Sequence, residues 1–339
     1  MSFIEQVIKN AKTAKQTIAI PEFKNEYMMK AAVRAHQEGI ANVVFVGAKE
    51  EVQKAAQEMN YDITGIAIAD NTDEEYKTKI LDLYDAIPEK LMKRQFVEKR
   101  IKNPLYFATV MEAAGEVDGI LAGVDTTTLE FVMAASSIIG LDEGVTTASG
   151  LIILEFDTFE GVQGNIIGMA DGAICLEPTV EQHAGIAIGS CETFEAVTGK
   201  EAKCAFLSYS TDGSGGMSEP VKKVRAAVEL AKQQRPDLKI DGEFQADAAI
   251  IKWVGEKKVK RESEVAGQAN VLIFPDASAC NIGSKLAQWL SGAKPYGPLY
   301  QGFRKPILDC SRSDTDETLF NDIALLSLLA KYKKDKKGE

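Results

Sequence analysis

The sequence predicts an α/β protein made of two doubly wound domains, each a mostly parallel sheet flanked by helices. Three observations support this fold class. Short β-branched runs alternate with longer helical patterns over nearly the whole chain, which is typical of strands joined by crossover helices. The length of 339 residues is enough for two domains, or for one large α/β domain with an elaboration. The alternation is also interrupted near residue 145, which indicates a domain boundary at residues 140–146.

The first domain begins with regularly alternating elements. In its helical patterns, apolar residues recur three and four positions apart, and Gly39 suits a helix C-cap. Two or three further helices are expected before Gly115. The predicted strands are "TIAIPEF" (17–23), "NVVFVG" (42–47), "ITGIAIAD" (63–70) and "DGILAGV" (118–124), and the helices include "KAAVRAHQEG", "AKEEVQKAAQEM" and "LEFVMAASSIIG".

The second domain opens with a predicted β-hairpin, because "TTASGLIILEF" and "VQGNIIGMADGAI" are separated only by "DTFEG". The alternation then returns, with strands "CAFLSYS", "LKIDGEF" and "NVLIFPD" and helices "TVEQHAGIAIGSCETFEAVTG", "EPVKKVRAAVELAKQQ" and "CNIGSKLAQWLSGA". The closing strand "KPILD" and a helix at 315–331 are expected to pack on the first domain. The predicted domains are therefore 1–143 plus 298–339, and 144–297.

Composition and charge exclude several classes of protein. The formal net charge of −11 argues against nucleic-acid binding, because neutralising phosphates requires a basic face. A few cations in one cleft can still bind small anions. No run approaches ~18 apolar residues, so no membrane span is expected.

Cysteine and histidine usage narrows the chemistry further. The five cysteines form no CxxC pair and their number is odd, which argues against a disulfide framework or a zinc site and favours a reducing, cytoplasmic setting. The chain has only two histidines, His36 and His183, which are too few for a histidine-rich metal site. They also argue against a Ser-His-Asp catalytic triad. We therefore expect no histidine-rich metal site and no central role for imidazole.

Four polar loops are predicted at the carboxyl ends of strands, where ligands collect in open parallel sheets. They are "DTTT" (125–128), "STDGSGG" (210–216), "DASACN" (276–281) and "CSRSD" (310–314). Any one of them alone is more simply a polar turn with an N-cap, but four together favour a binding cleft. The glycines of 210–216 would let the backbone approach a phosphate, although the segment matches neither GxGxxG nor a P-loop.

The segment "CSRSDTDE" indicates an anion site. Asp314 and Glu317 have capping-box spacing, so Asp314 is expected to cap the following helix. Ser311 and Arg312 then lie just before a helix N-terminus, where the dipole and a bidentate guanidinium favour phosphate or carboxylate. From the local sequence alone, it is equally possible that Arg312 forms a surface ion pair with Asp309 or Asp314 instead of binding an anion.

With these residues assembled, the chain resembles the phosphate acetyltransferase/phosphate butyryltransferase family over nearly its whole length. The similar segments are collinear and include "LSYSTDGS", "PDLKIDGEFQADAAI", "VAGQANVLIFPD", "NIGSKLAQWLSGAKPYGPLYQG" and "KPILDCSR". The resemblance implies a reversible reaction in which acyl-CoA and phosphate give acyl phosphate and CoA. It also implies two α/β domains with the active-site cleft between them, a homodimer, CoA as a substrate and no metal or redox cofactor.

The resemblance also implies roles for individual residues. Ser311 would hydrogen-bond the CoA thiol or the developing oxyanion, and Arg312 would hold phosphate and the acyl carbonyl. The phosphate and acyl end would be lined by Thr127, Thr128, Asn281, Lys285, Tyr296 and Gly297. The cleft loop would contribute Ser208, Thr211, Gly213 and Ser214.

The chain departs from the acetyl enzymes at four positions. Thr126 stands where they usually carry a histidine, Met133 and Trp289 where they carry arginines, and Thr318 where they carry the aspartate proposed as base. Asp316, with Asp314 and Glu317 as alternatives, is then the candidate base.

The pattern Ser-Arg-x-Asp-x-x-Glu-Thr is similar to the butyryl branch, which also carries an aromatic residue near Trp289. Met133 and Trp289 make the cleft wall more apolar, which could favour a larger acyl group. The function expected is a phosphate acyltransferase, acetyl by default. The alternatives are a larger-acyl enzyme and a non-catalytic acyl-CoA-binding homologue, acting as a sensor or partner subunit.

Overall fold

The computed structural model describes residues 1–216 and 218–338. The chain folds as two compact units. Residues 1–141 together with 303–339 form unit 1, and residues 142–302 form unit 2. None of the helices in these described ranges combines the length and the apolar character needed to cross a bilayer.

The elements follow one another in chain order. Unit 1 begins with α1 (Phe3–Ala14), β1 (Thr17–Ile20), α2 (Glu26–Gln37), β2 (Asn42–Val46), α3 (Lys49–Glu58), β3 (Ala67–Ala69), α4 (Glu74–Asp85), α5 (Arg94–Arg100), α6 (Pro104–Ala113), β4 (Gly119–Ala122) and α7 (Thr128–Ile138). Unit 2 contains β5 (Ser149–Glu155), β6 (Ile166–Ala170), α8 (Val180–Thr198), β7 (Lys203–Leu207), α9 (Glu219–Gln234), β8 (Lys239–Phe244), α10 (Ala246–Ile250), α11 (Lys252–Lys258), β9 (Val271–Ile273), α12 (Ala277–Ser291) and β10 (Lys294–Gln301). The chain returns to unit 1 for β11 (Ile307–Asp309) and α13 (Asp316–Lys337).

The helix ends follow local sequence signals. At the start of α8, the Thr179 hydroxyl accepts from the Gln182 backbone N–H while the Gln182 side chain accepts from the Thr179 N–H, which is a complete capping box. The helix ends at Gly199, whose φ of +66° closes the last turn in the left-handed region that glycine adopts without a steric cost. Capping residues of this kind determine where each helix begins and ends. They therefore also determine the length of the loops between helices and strands.

The sheet of unit 1 is fully parallel, with strand order β3-β2-β1-β4-β11. Its central strand is completely buried at Ile18, Ala19 and Ile20, as expected for a strand covered by helices on both faces. The end of the chain lies in unit 1, because β11 pairs with β4 and α13 packs against α1 and α2. The strand order reverses at β1, so the carboxyl ends of β1, β4 and β11 lie side by side where ligands bind in such sheets.

The sheet of unit 2 is mixed, with order β10-β5-β6-β9-β7-β8. The predicted hairpin is confirmed, because β5 and β6 pair antiparallel from Ile152–Met169 to Glu155–Ile166. The remaining pairs β6–β9, β9–β7 and β7–β8 are parallel. The α/β class with mostly parallel sheets is therefore confirmed for the described chain.

Strand β10 was not predicted. Because of it, the second unit ends later in the chain than the predicted domain. It pairs antiparallel with β5 from Lys294–Glu155 to Gln301–Ser149, with a bulge between Tyr296 and Leu299. Unit 2 extends to residue 302, whereas the predicted domain ended at 297. The prolines and the glycine of "KPYGP" hide the strand pattern, because proline cannot donate to a ladder and is confined to bulges and similar positions.

Candidate active site

The predicted site residues fall in both units. Unit 1 contains Thr127, Thr128, Ser311, Arg312 and Asp316, and unit 2 contains Ser208, Thr211, Gly213, Ser214, Asn281, Lys285, Trp289, Tyr296 and Gly297. Each group lies in loops or helices that follow the carboxyl ends of strands, apart from Tyr296 and Gly297, which lie in β10.

In unit 1, the loops after β4 and β11 are joined by direct hydrogen bonds. The Thr128 hydroxyl donates to Asp309 Oδ2 at 2.6 Å, and the Cys310 N–H donates to the carbonyl of Ala122 at 2.7 Å. Gly123 has φ +123°, and a Cβ there would lie 2.6 Å from the Cys310 nitrogen. Only glycine allows this close approach. Thr127 accepts from the Glu130 N–H and caps α7, so both predicted threonines fix the loop.

A buried carboxylate that sequence reasoning missed organises the same loop. Glu22 Oε2 accepts from the N–H groups of Gly123 and Val124 at 2.8 and 2.9 Å, and Oε1 accepts from Asp125 and Thr126 at 3.2 and 2.7 Å. Four consecutive donors are therefore used inside the protein. A carboxylate that gathers backbone N–H groups in this way stabilises the loop as a bound anion would.

The Ser-Arg turn, residues 310–314, follows β11. The Ser311 N–H donates to Asp314 Oδ2 at 2.6 Å, and the Asp314 N–H donates to the Ser311 carbonyl at 3.0 Å. The Ser311 hydroxyl lies 2.8 Å from that of Ser313. Both Ser311 and Arg312 are exposed, and no carboxylate in residues 1–216 or 218–338 forms an ion pair with Arg312. The predicted alternative of a surface ion pair with Asp309 or Asp314 is therefore not observed.

The predicted start of α13 was wrong by one residue. Thr315, not Asp314, is the N-cap, and its hydroxyl accepts from the Thr318 N–H while the Thr318 hydroxyl accepts from the Thr315 N–H. Asp314 is unavailable because its carboxylate is held by the Ser311 N–H. The residue that replaces the aspartate of the acetyl enzymes, Thr318, therefore completes a capping box.

The predicted base Asp316 lies in an ion pair. Its Oδ2 is 2.7 Å from Nζ of Lys30 on α2, and this hydrogen bond lowers the pKa of Asp316. Glu317 is likewise paired with Arg34. A carboxylate whose charged form is stabilised by a lysine is a weaker proton acceptor, so the geometry disfavours Asp316 as the base.

Two other carboxyl groups lie at the Ser-Arg turn. Asp314 Oδ, Asp322 Oδ and Cys310 Sγ lie within 4.8 Å of one another, and Asp322 projects from the second turn of α13. Burial raises the pKa of Asp314, and burial followed by the charge of Asp314 raises the pKa of Asp322 well above its usual range. The sequence signal was present but unused, because Asp322 is the one acid within the apolar run "LFNDIALLSLLA".

In unit 2, the glycine loop (residues 210–216) does not present free backbone donors. Glu243 of β8 accepts from the Gly213 N–H at 2.9 Å and from the Ser210 hydroxyl at 2.7 Å, and it is paired with Arg225. The other backbone N–H groups of the loop also donate within the protein, as in Thr211 to the Ser214 hydroxyl and Gly215 to the Ser210 hydroxyl.

The expectation of a phosphate cradle at these glycines is therefore not supported by the geometry. The buried carboxylate of Glu243 already takes the position of an anion, and sequence reasoning missed it. Ser208 and Thr211 are engaged in the same way, since Ser208 Oγ accepts from the Ser210 N–H and Thr211 Oγ1 accepts from the Gln245 N–H. The hydroxyls that sequence reasoning assigned to a ligand here serve the loop itself.

Three predicted residues lie on α12. Asn281, Lys285 and Trp289 are spaced four residues apart, which places them on one face of the helix, and all three are exposed. No carboxylate of the described residues forms an ion pair with Lys285. The loop after β6 packs closely against the start of α12, because a Cβ at Gly172 would lie 3.2 Å from Cys280 Sγ. This face therefore offers an amide, an ammonium and an aromatic side chain to solvent.

Tyr296 and Gly297 make contacts that stabilise strand β10. The Tyr296 hydroxyl donates to Glu155 Oε2 at 2.8 Å, and burial together with Glu155 raises the pKa of this tyrosine. Gly297 has φ +92° at the bulge of β10, a conformation that a side chain would strain. Both residues stabilise the pairing of β10 with β5.

Residues 2–327 match the family described as "Phosphate acetyl/butaryl transferase". The phosphate acetyltransferase of Acetivibrio thermocellus is 37% identical over 335 residues, which cover 98% of this chain and 100% of the relative. The phosphate acetyltransferase of Clostridium acetobutylicum is 39% identical over 326 residues, covering 96% and 97%. The EutD phosphotransacetylase from Staphylococcus aureus superposes with a TM-score of 0.87 at 31% identity, covering 97% of this chain and 98% of that structure.

Proposed function

Because the chain belongs to the phosphate acetyl/butyryl transferase family, and is thus a phosphate acyltransferase, we propose that its reaction is acyl-CoA plus phosphate to acyl phosphate plus CoA, run reversibly with acetyl as the default acyl group. The choice of acetyl is supported by relatives named phosphate acetyltransferase that align over nearly the entire chain. CoA and phosphate are substrates in this proposal, and no resident metal or redox cofactor is required.

The observation that carries the proposal is the exposed Ser-Arg turn at the end of β11. Arg312 has no carboxylate partner among the described residues, so its guanidinium can bind phosphate through two parallel hydrogen bonds. The neighbouring Ser311 hydroxyl can donate to the oxyanion that forms when phosphate or thiolate attacks the acyl carbonyl. Phosphate is its own nucleophile, so the protein mainly has to hold two anions together and stabilise that oxyanion.

Residues of unit 2 are proposed as further substrate contacts. Asn281 and Lys285 present an amide and an ammonium on one face of α12, and both groups suit phosphate oxygens. We propose a lesser role for Ser208, Thr211, Gly213 and Ser214, because their polar groups are engaged inside the glycine loop.

A larger acyl group is the second candidate, and it is favoured by two exposed apolar side chains. Met133 on α7 is 58% exposed and Trp289 on α12 is 78% exposed, at positions where the resemblance leads one to expect arginines. Apolar surface would stabilise a longer acyl chain by roughly 0.8 kcal/mol per methylene group buried. A non-catalytic acyl-CoA-binding protein is the third candidate, and it would bind acyl-CoA without forming acyl phosphate.

We also propose a homodimer, in a cytoplasmic location. The support is an apolar stripe on α12, where Ile282, Leu286 and Leu290 are 60%, 54% and 83% exposed while Cys280 and Ser284 on the opposite face are buried. Contiguous exposed apolar residues of this kind typically mark an interface. Light scattering should give twice the chain mass for the wild type and a lower mass for Leu286→Glu; a monomeric wild type would contradict the dimer.

The experiment that tests the function is a thiol-release assay with acetyl-, propionyl-, butyryl- and branched acyl-CoA, each with and without inorganic phosphate. Release that depends on phosphate and is fastest with acetyl-CoA supports the proposal. Faster release from butyryl-CoA supports the larger-acyl candidate instead. Binding of acyl-CoA in calorimetry without release from any substrate would support the non-catalytic candidate.

A further inference from the structure

The carboxyl pair formed by Asp314 and Asp322 lies directly behind Ser311. Asp314 uses Oδ2 to accept the Ser311 N–H at 2.6 Å, and a carboxyl oxygen of Asp322 lies within 4.8 Å of one of Asp314. Asp314 is half-buried and Asp322 is buried. The pair is therefore attached to the exposed turn at one end and enclosed by the protein at the other.

The charged groups around the pair are predominantly acidic. Besides each other, the carboxyls face Cys310, and the charges of Asp309 and Glu22 also act on that thiol. The nearby cations of α2 are engaged elsewhere, since Lys30 is paired with Asp316 and Arg34 with Glu317 and Glu38. Two carboxylates at this separation cannot both be ionised at low cost, so the pair retains one proton over a wide pH range.

The position of Asp322 is related to that of Thr318. Thr318 occupies the site where the resemblance leads one to expect the base, and it is committed to the capping box. Asp322 lies four residues further along α13, one turn away on the same face. The helix therefore keeps a carboxyl on this face, and the buried Asp322 lies within 4.8 Å of Asp314 in the Ser-Arg turn.

We propose that Asp314 is the proton acceptor of the reaction and that Asp322 is the positioning residue that keeps the second proton of the pair. This rests on the proposed function. When acyl phosphate reacts with CoA, the thiol proton passes to the Asp314 carboxylate and the sulfur forms a bond to the carbonyl carbon. The carbon–oxygen bond to phosphate then breaks, and its electron pair leaves with phosphate. In the opposite direction, Asp314 returns the proton to the departing sulfur.

The assignment of the charge within the pair follows from burial. Asp314 is nearer to solvent and accepts an N–H bond, which favours its carboxylate form, whereas Asp322 has neither advantage. Asp314 therefore ionises first, and its charge then opposes ionisation of Asp322. A base whose pKa is raised towards the working pH removes a thiol proton more effectively than an ordinary aspartate.

The test compares Asp314→Asn, Asp322→Asn and the matched control Asp335→Asn, which removes an exposed acid near the far end of α13. Asparagine at 314 still offers an oxygen to the Ser311 N–H, so it removes the proton acceptor while keeping the turn. Asp314→Asn should lower kcat for acyl-CoA formation by about 10²–10⁴-fold and abolish the fall in rate at acidic pH. Asp322→Asn should keep more activity than Asp314→Asn, and its rate should still fall at acidic pH. Any decrease in rate at alkaline pH that is caused by ionisation of the second carboxyl of the pair should disappear.

A measurement independent of turnover follows the carboxyl groups by carbon NMR on protein labelled at aspartate. In the wild type, Asp314 should titrate before Asp322, and in Asp314→Asn the pKa of Asp322 should fall because the neighbouring charge is gone. An unchanged Asp322 titration, or an Asp314→Asn enzyme with the wild-type rate and pH profile, would overturn the proposal. So would loss of activity on treatment with a chelator, because the three-ligand group of Cys310, Asp314 and Asp322 would then hold a cation.

Failure of this inference can be told apart from failure of the proposed function. If the wild type releases no thiol from any acyl-CoA in the presence of phosphate, the function is wrong, while the NMR titration still tests the pair. If the wild type is active and Asp314→Asn is equally active, the function stands and the pair is not the proton acceptor.

Discussion

The backbone N–H of Thr126 donates to Glu22 Oε1 at 2.7 Å, although the two residues are about a hundred positions apart in the chain. The same carboxylate also holds the three preceding N–H groups of the loop after β4. This loop lies against the Ser-Arg turn through the Thr128–Asp309 hydrogen bond. Glu22 therefore shapes the surroundings of Ser311 and Arg312 without being exposed to a ligand.

Replacing Glu22 by glutamine should lower the free energy of unfolding by about 1–3 kcal/mol, because an amide has one acceptor oxygen for four donors and its NH₂ group faces other donors. Urea unfolding measures the change, with the exposed Glu26→Gln as control. We also expect lower acyltransferase activity in Glu22→Gln. A variant that unfolds like the control would show that the loop is held in another way.

Glu243→Gln should destabilise unit 2 in a pH-dependent manner. Burial alone would raise the pKa of Glu243, but hydrogen bonds from the Gly213 N–H, Arg225 and Ser210 lower it overall. The carboxylate therefore stabilises the fold above its unfolded pKa, and this stability is lost as the pH falls through the lowered folded value.

The difference in unfolding free energy between wild type and Glu243→Gln should be about 1–3 kcal/mol at neutral pH and should shrink in acid. Chemical unfolding followed across the acidic range measures it. An equal difference at every pH would mean that the effect is not due to the charge.

Glu112→Gln should stabilise the protein. Glu112 is completely buried in α6, neither of its carboxyl oxygens has a hydrogen-bond partner in the described structure, and burial raises its pKa well above the usual range. The folded state therefore binds a proton that the unfolded state releases, so wild-type stability falls as the pH rises above the unfolded pKa. Thermal unfolding should show that Glu112→Gln gains most at neutral pH and little in acid, while the exposed Glu75→Gln gains at neither.

Trp289→Arg should shift the substrate preference towards acetyl-CoA. The indole adds exposed apolar surface to α12, and one methylene group in an apolar pocket is worth about 1–3 kcal/mol of discrimination. The ratio of kcat/KM for butyryl-CoA to that for acetyl-CoA should therefore fall by about tenfold or more. Trp253→Arg, which changes another exposed tryptophan, is the matched control. An unchanged ranking of substrates in Trp289→Arg would remove this residue from the acyl site.

The sequence predicted the α/β class and most strands because buried parallel strands such as β1 and β4 are continuous β-branched or apolar runs. Strand β10 escaped because proline and glycine interrupt it and its stability comes from pairing with β5, which local sequence does not reveal. The cap of α13 was misplaced because Ser311, Ser313, Asp314 and Thr315 can all cap a helix. Tertiary contacts decided between them.

The candidate site was predicted only where its residues are close together in the chain. Ser311 and Arg312 are adjacent, and their position after a strand could be read directly from "KPILDCSR". Glu22 and Glu243 could not be found in this way, because their partners come from other loops or lie 30 residues away in the chain. Their role depends on burial beside backbone donors, which follows from the fold and not from a motif.

Phosphate-dependent release of CoA from acetyl-CoA, measured for the wild type and for Arg312→Ala, decides whether the Ser-Arg turn is the reacting site. Circular dichroism confirms that the variant is folded, and Arg94→Ala, which removes an arginine paired with Asp82 and Glu98, is the control. We expect turnover by the wild type and the control, and a loss of at least about 10²-fold in Arg312→Ala. Wild-type turnover in the folded Arg312→Ala protein would contradict the assignment of the Ser-Arg turn as the reacting site.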